Sequence, residues 1–240
     1  MCPTPIGNLE DVTLRVLRAL GEADAIACED TRRTRGLLRH HGIEPGRLVS
    51  CHEHNERGRA AQLVAEMQAG AVVALVSDAG TPLISDPGYL LVQASIAAGV
   101  PIEVLPGPSA VLLALVASGL PVARWCFVGF LPRKRGQRER LLAEAGETLV
   151  AFESPQRLPT TLELLAHVDP HRPVAVCREL TKLHEEVVRG SAVELAERYR
   201  ERPPKGEVVL VVGPATSSGG GSRADEEDGP RLDRGDAASE

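Results

Sequence analysis

Residues 71–88, AVVALVSDAGTPLISDPG, decide how the rest of the chain is read. Val72 to Val76 form an unbroken apolar run, the pattern of a strand buried on both faces of a parallel sheet. The run ends in two clusters of acid, turn former and proline, Ser77-Asp78-Ala79-Gly80-Thr81-Pro82 and Ser85-Asp86-Pro87-Gly88. Hydroxyls, carboxylates and glycines at the carboxyl end of a parallel strand lie where open α/β sheets bind ligands. A long structural loop would read the same way taken alone, so the neighbouring segments must decide.

Working outward, the same unit recurs. Asp24 to Cys28 reads as a short buried strand and leads into Glu29-Asp30-Thr31-Arg32-Arg33, which opens a helix. Leu48 to Ser50 ends in Cys51-His52-Glu53-His54-Asn55 and a helix carrying Ala60, Leu63, Val64 and Met67. Ile102 to Leu105 is the next predicted strand, followed by Pro106-Gly107-Pro108-Ser109-Ala110 and an apolar helix to Ser118. Repeated strand, polar loop and helix predict a parallel sheet with right-handed crossovers, its polar loops on one edge. Before these comes MCPTPIGNL, a turn with no strand ahead of it. Two readings follow: the start lies upstream, or the first strand is missing and the sheet is compromised. A helix follows with Leu9, Val12, Val16, Leu17 and Leu20 on one face and Asp11 placed to favour its amino end.

Gly119-Leu120-Pro121 combines a helix stop with a turn former and marks a domain boundary. Beyond it, strands are predicted at Trp125–Phe130, Thr148–Phe152, Val174–Cys177, Glu186–Arg189 and Val208–Val212. The tight connection before Glu186 predicts an antiparallel pair, hence a mixed sheet. The expected organisation is two α/β domains, 1–118 with a parallel sheet and 119–214 with a mixed sheet, and a disordered acidic tail over 215–240.

Composition narrows the function. The 240 residues are 43% apolar but only 2% aromatic, and the net charge of −6 owes much to the tail. No run is long enough to span a membrane. Five scattered cysteines without a C-x-x-C pair argue against a disulfide framework and fit the cytoplasm. Arginine outnumbers lysine 24 to 3, which biased codon usage explains more simply than phosphate binding.

A Walker loop, a G-x-G-x-x-G fingerprint and a G-x-S-x-G elbow are all absent, which disfavours nucleoside triphosphates, NAD and a serine hydrolase. Ser109 opens a helix and reads as a cap or a ligand contact rather than a nucleophile. His52-Glu53-His54 raises the question of a metal but offers no third ligand, so no metal is expected. Glu29 and Asp30 suit a helix start, whereas Arg32, Arg33 and Arg35 oppose its dipole and point to a phosphate or acidic partner. The basic stretch from Arg133 to Arg140 is either a solvated helix face or a second border of the same cleft.

TPIGNL, CEDTRRTRGLL, HEHNE, ALVSDAGTPLISDPG, PGPSA, SGLP, GFLPRK, ESPQRL and RELTK follow one another in this order. Together they closely resemble the bacterial 16S rRNA ribose 2′-O-methyltransferase I family, within the tetrapyrrole methylase superfamily. The resemblance runs from Thr4 to about Val212 and leaves out the tail. It implies a two-domain enzyme, usually a homodimer, that holds S-adenosyl-L-methionine between its domains. The implied reaction methylates the ribose 2′-hydroxyl of a decoding-centre cytidine in 16S rRNA, within the small ribosomal subunit. The implied cofactor contacts are Pro5 and Ile6, Asp78 with Gly80 and Thr81, Ser109 with Ala110, and Glu153 and Leu180 at two later strand ends. The chain departs from the family in lacking the apolar strand before TPIGNL. A ribose hydroxyl keeps its proton at neutral pH, so a base is expected, from Asp30, Glu53 or His52. Arg32, Arg33 and Lys182 are the expected RNA-phosphate contacts.

Overall fold

The computed structural model describes residues 1–202 and 204–215, so most of the expected acidic tail lies outside the described residues. Two sheets organise the chain. The first has three parallel strands in the order β2-β1-β3, with β1 at Ala25–Cys28, β2 at Leu48–Ser50 and β3 at Val73–Leu75. The second has five, in the order β4-β5-β8-β6-β7. They span Trp125–Phe130, Thr148–Glu153, Pro173–Arg178, Glu186–Ser191 and Val208–Val212 in chain order. β4 and β5 run parallel, while β8 pairs antiparallel with both β5 and β6, and β6 with β7. This is the expected mixed sheet, with the antiparallel pair where the tight connection placed it.

Apolar runs explain these strands. All four residues of β1 and all five of β8 are buried, because helices or the other unit cover both faces. On the first sheet, α1 (Leu14–Glu22) contributes Val16 and Leu20 to a cluster with Ile26, Cys28, Ala74 and Val76. α2 (Thr31–His40), α3 (Glu56–Gln68) and α4 (Tyr89–Ala97) complete that unit. α5 (Ala110–Ser118) ends at Gly119, which takes a left-handed φ of 71°. Val111, Ala114 and Leu115 of this helix pack against Val150, Ala175 and Val209 of the second sheet, so α5 bridges the two units. α6 (Arg135–Glu144), α7 (Leu158–Val168) and α8 (Ala192–Tyr199) cover the other face. The basic stretch after β4 is thus mostly helix, and its Arg138 is buried. No described helix is long and apolar enough to cross a membrane.

Two expectations are corrected. Ile102 to Leu105 does not form a strand, although Leu105 is buried. The residues beside it are Met1 and Cys2: Leu105 N–H donates to Met1 O at 3.0 Å, and Cys2 N–H donates to Leu75 O at 2.9 Å. These isolated bonds do not make a ladder. The amino end of α1 is capped by Thr13, whose Oγ1 accepts from Val16 N–H at 3.2 Å, rather than by Asp11.

One polar tie fastens the first unit. Glu56, the buried first residue of α3, accepts from the N–H groups of Gly88, Leu90 and Leu91 at 3.0, 2.6 and 3.3 Å. A carboxylate at a helix start satisfies orphan donors and favours the dipole, so Glu56 closes the Ser77–Gly88 loop onto α4. Glu56→Ala strands those donors and should lower the unfolding free energy in urea by roughly 2–3 kcal/mol. Glu56→Gln, which keeps an acceptor, should recover part of the loss. An unchanged midpoint for the alanine variant would show that the tie contributes nothing.

Candidate active site

The carboxyl ends of β1, β2 and β3 all point to one edge of the first sheet, and the loop after β3 there faces the second unit. Thr4 and Gly80 exchange backbone hydrogen bonds at 2.9 Å in both directions, which pins the start of the chain to the loop after β3. Gly80 has φ of 81°, and a Cβ there would lie 3.3 Å from Ile6 Cγ2, so both backbone and space call for glycine. Thr81 Oγ1 donates to Pro108 O at 3.3 Å, joining this loop to the start of α5. Ser109 caps α5, its Oγ accepting from Leu112 N–H at 3.4 Å.

Between the units lies a cleft of about 320 Å³. Ile6, Ala79 and Ala110 line it from the amino-terminal side, and Phe130, Phe152, Val208 and Val209 from the second sheet. Phe130 and Phe152 stack with ring centroids 5.4 Å apart, making an aromatic wall. Ser85, Asp86, Glu153, Ser154 and Glu207 supply the polar groups. A wider concavity of about 700 Å³ lies at the opposite edge of the second sheet, among Pro121, Arg124, Leu141, Glu147 and Pro214. None of the strand-end loops of the first sheet reaches it, so the interdomain cleft is the candidate site.

The expected residues fall into distinct groups. Ile6, Ala110 and Glu153 line the cleft, with Pro5 buried beside Ile6. The Glu153 carboxylate is already held by Ser154 N–H, Arg157 Nε and Thr161 Oγ1, each at 2.7 Å. Leu180 is buried and packs in the cluster that contains Ile6. Next to it, Thr181 takes a φ of 67° and buries its hydroxyl, which has no hydrogen-bond partner among the described residues. A Cβ on Gly7 would lie 2.7 Å from that hydroxyl, so the two units touch here.

Asp78 joins two loops of the first sheet: its Oδ1 accepts from Asp30 N–H at 3.0 Å, and its Oδ2 lies 3.5 Å from Arg33 Nε. Asp30 caps α2 and forms a bidentate pair with Arg32 at 3.1 and 2.9 Å, which holds its carboxyl down at about 2. The Arg32 side chain is otherwise 87% exposed. His52 contacts Asn55, with Nε2 3.1 Å from Asn55 Nδ2, and Glu53 is exposed on the same turn. His52 and His54 are edge-to-face at 6.0 Å, and among the described residues no three His, Cys, Asp or Glu side chains converge as metal ligands. Lys182 pairs with Glu179 at 2.7 Å and Glu207 at 2.9 Å.

Sequence reasoning missed the aromatic wall, the segment Gly206–Val209 and Asp86 as cleft residues. Asp86 is half-buried, and its carboxyl is pushed up to about 6, first by burial and then by the nearby Glu29 carboxylate. The signal for it was the second acid-turn-proline cluster, which a local reading treats as turn chemistry.

A sheet pair with a cleft of this kind has known counterparts. Residues 2–196 match the family described as tetrapyrrole (corrin/porphyrin) methylases. The chain belongs to this family. Among solved structures, this methylase is similar to uroporphyrin-III-C-methyltransferase from Thermus thermophilus, with 27% identity and a TM-score of 0.62 over 88% of this chain and 92% of that one. Curated relatives define the branch. The methylase is 47% identical to "Ribosomal RNA small subunit methyltransferase I" of Hydrogenobaculum sp., covering 88% of this chain and 93% of the relative. It is 50% identical to the protein of that name from Mycobacterium tuberculosis, over 87% and 75%. It is 47% identical to that from Escherichia coli O157:H7, over 95% and 79%.

Proposed function

We propose that this methylase transfers the methyl group of S-adenosyl-L-methionine to ribosomal RNA of the small subunit, at the ribose 2′-hydroxyl of a decoding-centre cytidine. The observation that carries the reading is the cleft itself, at the strand ends of a tetrapyrrole methylase fold whose curated relatives are named for ribosomal RNA. The cleft suits the cofactor. Its volume of about 320 Å³ is in the range of small-molecule sites. Phe130, Phe152 and Val209 offer an apolar surface to adenine, and the acidic groups at the rim suit a sulfonium and an ammonium. The unpartnered Thr181 hydroxyl offers a further hydrogen bond. No cradle of glycine amides for a polyphosphate is needed, in keeping with the missing Walker and dinucleotide motifs.

Ile6, Ala110, Glu153 and Leu180, with the Asp78–Thr81 turn behind them, would hold the cofactor, and Pro5 and Ser109 would set the backbone on which Ile6 and Ala110 stand. Arg32 and Arg33, in the first turn of α2, and Lys182, paired with the cleft residue Glu207, would take RNA phosphates. Methyl transfer is one in-line displacement, so positioning supplies much of the rate. The reaction belongs to the cytoplasm, where assembling subunits and reduced thiols are found; all five cysteines are free. Val104, Ile96, Leu112 and Val116 are 60%, 59%, 50% and 76% exposed, an apolar surface from α4 to α5 that a second copy of the chain would cover in a homodimer.

Mass mapping of 16S rRNA after incubation with enzyme and cofactor should show one added methyl on a decoding-centre cytidine ribose, in 30S subunits rather than on a tetrapyrrole. A methylated base, or transfer only to a tetrapyrrole, would displace this reading. Arg32→Ala should weaken RNA binding several-fold and flatten its salt dependence without changing cofactor affinity; unaltered RNA affinity would remove Arg32 from the interface. Light scattering should give twice the chain mass, and Val116→Glu should shift it to the monomer.

A further inference from the structure

We propose that Asp86 is the catalytic base, the group that accepts the ribose 2′-hydroxyl proton during methyl transfer, in place of Asp30, Glu53 or His52. The inference rests on the reading that the reaction is 2′-O-methylation. Asp86 lines the cleft together with Ile6, Ala79 and Ala110, whereas none of the other three does.

The loop is built to hold this side chain. Leu83 and Ser85, neither of them glycine, take φ of 75° and 68°, and Gly88 takes 123°. Left-handed backbone at branched or bulky residues persists only where the surroundings enforce it, and such strain gathers at functional sites. Here the enforcing ties are the Thr4–Gly80 pair on one side and Glu56 on Gly88 on the other. Ser85 reaches across to the second unit, where a Cβ on Gly129 would lie 3.7 Å from Ser85 Oγ. Asp86 therefore stands on a braced segment between the two units.

Its electrostatic setting suits a base. Burial and the carboxylates of Glu29 and Asp78 raise its proton affinity, while the Ser77 hydroxyl opposes them. The other charges around the cleft are already matched: Asp78 by Arg33, Glu153 by Arg157, and Glu207 by Lys182. Among the described residues no cation pairs with Asp86, unlike Asp30, whose pair with Arg32 leaves a much weaker base. A base with affinity near 6 is ionised at neutral pH yet takes a proton more readily than an ordinary carboxylate.

The step balances. The 2′-oxygen forms its bond to the methyl carbon, the carbon–sulfur bond breaks with its electron pair left on sulfur, and the hydroxyl proton passes to an Asp86 oxygen. The neutral acid then returns that proton to water. Glu56 and the Thr4–Gly80 pair are positioning groups here and touch no reacting atom.

Single-turnover transfer to 30S subunits, cofactor affinity by calorimetry, and thermal unfolding at pH 4 and pH 8 test the proposal on Asp86→Asn and Asp86→Glu. Asp86→Asn should lose about 10²- to 10⁴-fold in rate with cofactor affinity kept. The wild-type rate should rise through a pH near 6 to a plateau, and that limb should vanish in the asparagine variant and persist in the glutamate variant. Because the folded-state affinity is raised, ionising Asp86 costs stability as pH rises through that value. Asparagine should therefore raise Tm at pH 8 and not at pH 4. A rate within twofold of wild type, an unchanged pH limb, a lost cofactor affinity or an equal Tm change at both pH values would each overturn the assignment. Wild-type enzyme that binds cofactor but methylates no ribose would overturn the underlying reading and the proposal with it.

Discussion

Glu56 and the Thr4–Gly80 pair bear most of the burden of shaping the cleft. The loop after β3 contains two prolines and four left-handed residues from Gly80 to Gly88, and it carries no ladder of its own. Left to itself such a segment would sample many conformations, each costing little. Three N–H groups at the start of α4 converge on one buried carboxylate, and two backbone bonds fix the other end. Between the anchors the loop is held more sparsely, by the bond from Thr81 Oγ1 to Pro108 O and by the packing of Leu83. The amino-terminal face of the cleft is thus set by contacts at sequence separations of 32 to 76 residues, through Glu56–Gly88 and Thr4–Gly80.

The same logic explains α5. Its apolar surface serves two partners: Val111, Ala114 and Leu115 face the second sheet, while Leu112 and Val116 are exposed. A helix that is apolar on most sides is either buried or an interface. By packing on the second sheet while its first turn borders the cleft, α5 fixes where Ala110 stands relative to β5 and β8. α5 thus ties one wall of the cleft to the sheet that forms the other.

Much of this was legible in the sequence. All the strands but β7, whose sequence is EVVRGS, fall on largely apolar runs, and the period of strand, loop and helix was enough to foresee a parallel sheet followed by a mixed one. Ile102 to Leu105 has the right composition yet forms no strand: its bonds to Met1, from Leu105 N–H to Met1 O and from the Met1 amine to Glu103 O, do not add up to a ladder. Composition does not report backbone pairing. Asp86 shows the complementary limit. Its sequence context, Ser-Asp-Pro-Gly, is that of a turn, and its half-burial and the approach of Glu29 arise only when β1 and β3 are adjacent. Asp30, by contrast, looked reactive among arginines, and those arginines are what neutralise it.

The cations proposed to meet RNA share that pairing. Arg32 faces Asp30, Arg33 faces Asp78, and Lys182 faces Glu179 and Glu207. A phosphate docking on any of them must exchange an existing carboxylate partner, so each contact yields less than a free cation would. The chain as a whole carries −6, which repels a polyanion at long range. Strong nonspecific attraction to nucleic acid is thereby suppressed, and a substrate must fit several paired cations at once to gain from them. Under the proposed function, a structured RNA surface, which presents phosphates at fixed spacing, would meet that demand better than a free strand. With only 2% aromatic residues the chain has few rings for base stacking, so an RNA substrate would be read chiefly through its backbone geometry.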